Sequence, residues 1–200
     1  MSRYGTLDSL INVTGGSVHV PIIASAFGVK ELGFVAVVSS ALFLPVTIVS
    51  SAVKDVFRQR AALEVKNGGC CRRLYLQTLL PVAACAVVVF SAAFFIMPHL
   101  LPWILGPGWE PVVTYSAILM PMFAFNFIAM SLNGIFAVAE RLDVSVAWQM
   151  SNLLLTVLAL VVAINLFGDV ASALIFMSAA KVVGYALHMV LSYYFARVKS

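Results

Sequence analysis

An all-α membrane protein with six transmembrane helices is the fold that this sequence predicts, and three observations predict it. First, 62% of the 200 residues are hydrophobic and only 10% are charged, where a soluble domain averages roughly 45–50% and about 25%. Second, the mean hydropathy is +1.04, and a soluble fold of this length has too little core to hide that much apolar surface. Third, the apolar residues form continuous runs of about 20, the length that crosses a bilayer as a helix. They do not alternate with the period of two that a barrel strand requires.

Six runs qualify: 7–27, 32–53, 74–97, 112–137, 144–167 and 170–195. The whole chain, 1–200, then reads as a single transmembrane domain. The first run holds Asp8 near its start and is interrupted by Asn12, Gly15–Gly16 and His19. It has neither the basic head nor the cleavage pattern of a signal peptide and reads as a polar-lined span. Pro21 predicts a kink there. The second to fifth runs contain no Asp, Glu, Lys, Arg or His, and the sixth contains Lys181 and His188.

The connections order these spans. Gly28–Val29–Lys30–Glu31 joins the first two, and Gly168–Asp169 joins the last two in a tight antiparallel hairpin. The longest polar segment, Lys54–Arg73, is expected to be a basic loop. With both termini inside, the cytoplasmic side collects ten of the twelve basic residues: Arg3, Lys54, Arg58, Arg60, Lys66, Arg72, Arg73, Arg141, Arg197 and Lys199. Lys30 is outside and Lys181 is in the membrane. The positive-inside rule selects that orientation, and the chain reads as an inner-membrane-type protein. The segment His99–Glu110, with Trp103 and Trp109 for the headgroup belt and Pro and Gly to turn the chain, reads as an interfacial re-entry that anchors spans three and four.

Several function classes fall away. The net charge of +4 arises from basic residues gathered between apolar runs rather than on one soluble face, so no nucleic-acid partner is expected. The three cysteines, Cys70, Cys71 and Cys85, have neither metal-ligand spacing nor a nearby His, so no metal and no cofactor are expected. Cys85, inside an apolar run, reads as a small core residue. No Ser–His–Asp order, HExxH, phosphate loop or carboxylate pair is present, and the chain does not read as an enzyme.

The informative residues are polar ones within the spans. A charge in the bilayer costs about 2.5–3.5 kcal/mol on insertion scales and marks a site by default. Lys181 shares a helical stripe with Ser178, Tyr185, His188 and Ser192. It is either a cationic contact for an anionic substrate or a lysine paired for packing. In the first span, Ser9, Asn12, Gly16 and His19 form a second stripe. His19 is either a proton-responsive or ligand-binding group or a packing residue. Asn126, Asn133, Gln149, Asn152 and Thr156 line a cavity or act as interhelical glue. The candidate substrate-binding set is thus Lys181, Tyr185, His188, His19 and Asn12.

Two stretches carry a family resemblance. FGVKELGFVAVVSSALFLPVTIVSSAVKDVFRQRAA (Phe27–Ala62) has Phe27–Gly28 followed by Leu32–Gly33, a proline break at Pro45, and a helix ending at Val53–Phe57 before a basic loop. ILGPGWEPVVTYSAIL (Ile104–Leu119) has Gly106 and Trp109 leading into a helix. In order and spacing these resemble the C-terminal six-helix half of polysaccharide flippases of the MOP superfamily, which export lipid-linked oligosaccharides for O-antigen, capsule and exopolysaccharide. The resemblance implies one lobe of a MATE-like fold, a pyrophosphate-bearing lipid-linked glycan as substrate, and alternating access without bond chemistry. Such flippases carry two lobes, about twice this length. The resemblance therefore implies a partner, either a second lobe or a second copy. A fragment, a split or truncated reading frame, and a self-pairing half-transporter all fit that length. The alternatives are a lobe of a cation-coupled multidrug antiporter, disfavoured by the absence of an acidic residue deep in any span, and a non-transporting structural subunit of a glycan-assembly complex.

Overall fold

A computed structural model describes residues 18–67, 71–138 and 142–196, and among these the chain is helical with no strand. The helices are α1 (His19–Phe27), α2 (Val29–Lys66), α3 (Arg72–Leu105), α4 (Glu110–Leu132), α5 (Gly134–Val138), α6 (Leu142–Phe167) and α7 (Val170–Phe195). Five stretches are long and apolar enough to cross a membrane: Val29–Lys66, Arg72–Leu105, Glu110–Phe136, Asp143–Phe167 and Val170–Phe195. The protein is a multi-pass membrane protein. These stretches correspond to the second to sixth expected spans. Of the first, only the end is described, as α1, which opens on His19; Ser9, Asn12 and Gly16 of its polar stripe lie outside the described residues.

The turns follow from local chemistry. At the α6–α7 hairpin Gly168 adopts φ 69°, a left-handed conformation that costs glycine nothing, and its N–H closes on Ile164 O at 3.1 Å. Asp169 then caps α7, accepting from Ser172 N–H at 2.8 Å. That hydrogen bond holds the Asp169 carboxyl below its ordinary pKa. At the α3–α4 turn Gly106 N–H bonds Pro102 O at 3.0 Å and Gly108 N–H bonds Glu110 Oε1 at 3.1 Å. Trp109 packs edge-on against Phe34 of α2, with ring centres 5.3 Å apart.

Four expectations are corrected here. Lys54–Lys66 is no loop: α2 runs unbroken through it for 38 residues, about 57 Å at 1.5 Å per residue. The segment contains no helix breaker, and Phe57 and Ala61 have a core to enter. Pro45 likewise lies inside the helix instead of breaking it. His99–Leu105 continues α3, and only Gly106–Trp109 turns. Cys85 is exposed on α3 rather than packed in a core, whereas Cys71 is buried with its thiol 3.6 Å from Ala61 O.

Packing places α4 at the centre, against α2, α3 and α7; α6 packs on α7, and α1 reaches both α2 and α6. Although consecutive, α2 and α3 barely touch. The main core joins Ile23 (α1), Val35 and Val38 (α2), Leu119 and Phe123 (α4), Leu160 (α6) and Leu174 (α7). A second core lies at the end of the bundle where α2 finishes and α3 starts, called here the basic end. It gathers Phe57, Ala61, Cys71, Tyr75, Leu132, Ile135, Phe136 and Ala196. Gly134 permits the approach of α5 to α2, since a Cβ there would sit 3.2 Å from Arg58 Cβ.

Candidate functional site

The polar stripe of α7 turns inward. Ser178, Lys181, His188 and Ser192 are buried, Lys181 at 9% exposure and His188 at 1%, and Tyr185 between them is half-buried. A helix whose other face is apolar places such residues against protein, because lipid offers no hydrogen bonds. The stripe divides into two neighbourhoods at different depths.

The first is central. Lys181 lies twelve residues after the Asp169 cap, about 18 Å along α7. His19, nine residues before Gly28, sits about 13 Å from the same end. Within a hydrocarbon layer about 30 Å thick, both are near mid-membrane. His19 is half-buried and lies within electrostatic range of the Lys181 ammonium. The structure thus brings together two nitrogen-bearing candidates that the sequence places 162 positions apart. Tyr185, one turn further on, faces Trp148 of α6 with ring centres 6.1 Å apart.

The second lies about 28 Å along α7, toward the basic end, and its centre is His188. Its Nε2 is 3.2 Å from Asn133 Oδ1, and Ser192 Oγ is 3.5 Å from its Nδ1. Trp148 and Phe136 flank the ring at 4.5 and 5.3 Å. Ser192 also contacts the Tyr75 hydroxyl of α3, which donates to Met189 O at 3.0 Å. His188 is therefore enclosed by protein, set apart from the Lys181–His19 region by two turns of helix.

Sequence reasoning missed Trp148 and Tyr75. Trp148 Nε1–H donates to Gly184 O at 2.8 Å, and a Cβ on Gly184 would collide with Asn152 Oδ1. That oxygen is buried without a hydrogen-bond partner among the described residues. A tryptophan at an end of a span reads as a headgroup anchor, and only the folded packing shows this one turned inward. Of the asparagines, Asn133 serves as an interhelical hydrogen-bond acceptor.

Chemically, the central region offers an ammonium and an imidazole at mid-membrane, a setting suited to an anion. Among the described residues no group of three or more His, Cys, Asp or Glu could hold a metal ion. The model of a family described as polysaccharide biosynthesis protein matches residues 1–114. The match covers α1 to α3 and the start of α4, so α6 and α7 lie beyond it. No curated protein matches the chain, and no solved structure does.

Proposed function

The chain belongs to the polysaccharide biosynthesis protein family, and from that membership we propose that it is a transporter lobe that flips a lipid-linked oligosaccharide precursor across the bacterial cytoplasmic membrane. The observation that carries the reading is Lys181, buried at mid-membrane within electrostatic range of His19. A lipid-linked glycan presents a pyrophosphate that must pass this depth, and an ammonium there offsets its desolvation. Tyr185 and the residues of the first-span stripe, Asn12 included, would extend the same cavity wall. His188, enclosed by protein, supports the helices around it in this scheme.

The proposed architecture is one six-span, MATE-like lobe over residues 1–200, resembling the C-terminal half of the MOP flippases. Both termini face the cytoplasm. Alternating access needs a second lobe or a second copy across the cavity, rocking about it. Glycans of the O-antigen, capsule or exopolysaccharide type are the substrates this reading names, and no covalent bond is made or broken.

The test is export by Lys181 variants in a flippase-null strain, scored as surface glycan per membrane-inserted protein. Lys181→Met keeps the stem, removes the charge and eases insertion; export is expected to be lost at normal protein level. Lys181→Arg is expected to retain part of it, since a guanidinium also binds phosphate. Normal export by Lys181→Met, with Lys181→Arg defective, would instead assign the lysine to packing. Orientation is tested by labelling Asn67→Cys and Gly108→Cys in a cysteine-free background in sealed cells. Only Gly108→Cys is expected to react from outside.

A further inference from the structure

The environment of His188 does more than bury a ring. With Asn133 Oδ1 facing it, Nε2 carries a hydrogen and donates. Nδ1 is then the atom whose proton is free to come and go, and its neighbour is a hydroxyl, which both donates and accepts. In the neutral ring Ser192 O–H donates to Nδ1. In the protonated ring Nδ1–H donates to Ser192 Oγ, and the hydroxyl hydrogen must find another acceptor. Tyr75 Oη, in contact with Ser192, is that acceptor. It remains available because its own hydrogen is committed to Met189 O. Every hydrogen bond of the ring is therefore satisfied in both states, as burial of a polar group requires. The indole of Trp148, 4.5 Å from the ring, adds a π-face that favours the charged form.

We propose that His188 is a proton-binding site shared by four helices, whose occupancy turns the Ser192 hydroxyl from Nδ1 to Tyr75 and so ties α7 more tightly to α3. Atoms balance simply: one solvent proton is added at Nδ1, and no bond other than hydrogen bonds is exchanged. The groups surrounding the ring come from α3 (Tyr75, with Arg72 above it on Tyr193), the α4–α5 junction (Asn133 and Phe136) and α6 (Trp148, with Asp143 at its start). Its own helix adds Lys181 and Tyr185, and α2 brings Lys54 and Arg58 against Gly134. The hydroxyl of Ser192, the amide of Asn133 and the indole of Trp148 are the groups that accommodate the charge. The site stands independently of whether the chain flips a glycan.

Trp148 provides the readout, because a protonated imidazole in contact with an indole quenches its fluorescence. In the full chain in liposomes, Trp103→Phe and Trp109→Phe leave Trp148 as the sole emitter. Its emission is expected to fall in a one-proton titration as the pH is lowered through and below the ordinary imidazole range, and His188→Gln is expected to abolish the fall. Tyr75→Phe removes the acceptor for the turned hydroxyl and is expected to move the midpoint about 0.4–1 unit lower, the worth of one neutral hydrogen bond. A flat emission profile overturns the site. So does a titration that persists in His188→Gln, which would trace it to His19 or His99. An unchanged midpoint in Tyr75→Phe overturns the hydroxyl turn, and that variant keeps the proposal testable if His188→Gln fails to fold.

Discussion

Helices α3 and α7 are comparably apolar, yet they occupy opposite positions in the molecule. Over 34 residues α3 buries only Tyr75, Val82 and Ala86. It presents Leu80, Val87, Val88, Phe95 and Ile104 outward, with Trp103 83% exposed. Over 26 residues α7 buries Ala173, Leu174, Met177, Ser178, Ala180, Lys181, Gly184, His188 and Ser192. In water the more apolar surface would be the inner one. Here the inner surface is the one with small and polar residues, because in lipid the hydrophobic effect no longer sorts residues and hydrogen bonding and close packing do. Burial in this protein therefore has to be read from polarity and size, not from hydropathy.

A charge placed on each helix is the harshest test of that contrast. Val88→Arg on α3 is expected to cost about 2.5–3.5 kcal/mol of insertion, visible as a loss of full-length protein from the membrane fraction, whereas the native Lys181 is carried without such loss. Equal insertion of Val88→Arg would mean that α3 faces protein. Next in size is Gly184→Ala on α7. Its methyl must displace Asn152, and overpacking of this kind typically costs about 1–3 kcal/mol. Unfolding in mixed detergent micelles measures it. An unchanged midpoint would show that α6 and α7 can separate freely. The same measurement on Val88→Ala should give a shift within about 0.5 kcal/mol.

The smallest effect belongs to the α6–α7 turn. Asp169 is held below its ordinary pKa by the Ser172 N–H, so the unfolded chain binds its proton more readily than the folded one. The cap's contribution is complete above the unfolded-state value and is lost as pH falls through the lower, folded-state value. Asp169→Asn should flatten that acid limb while leaving stability at neutral pH nearly unchanged. An acid limb identical to wild type would assign it elsewhere.

Much of this arrangement was legible in the sequence. The spans from α2 to α7 follow from run length, the α6–α7 hairpin from Gly168–Asp169, and the inward turn of α7 from the spacing of Lys181, His188 and Ser192. Hydropathy could not show that α2 continues past Val53, since a charged segment in water is equally compatible with helix or loop. What decides it is the second core that Phe57 and Ala61 enter. Nor could periodicity assign Cys85: an apolar run has no inside until its neighbours are known, and α3 has few. The separation of His188 from Lys181 was hidden because both lie on one stripe. Only Asn133, 55 residues away, and Trp148 reveal that the lower half of the stripe is occupied by the protein itself.

The unbroken length of α2 has a mechanical consequence. Pro45 has no N–H to bond the preceding turn, so it is the softest joint in a rod that is otherwise fully hydrogen-bonded. The arm beyond it, Val46–Lys66, is 21 residues, about 31 Å long, and each degree of bend at Pro45 sweeps its tip by about half an ångström. Phe57 on that arm rests edge-on against Tyr75 at 6.3 Å. A deflection of α2 in mid-membrane is thus delivered, as by a lever, to the same tyrosine that meets Ser192.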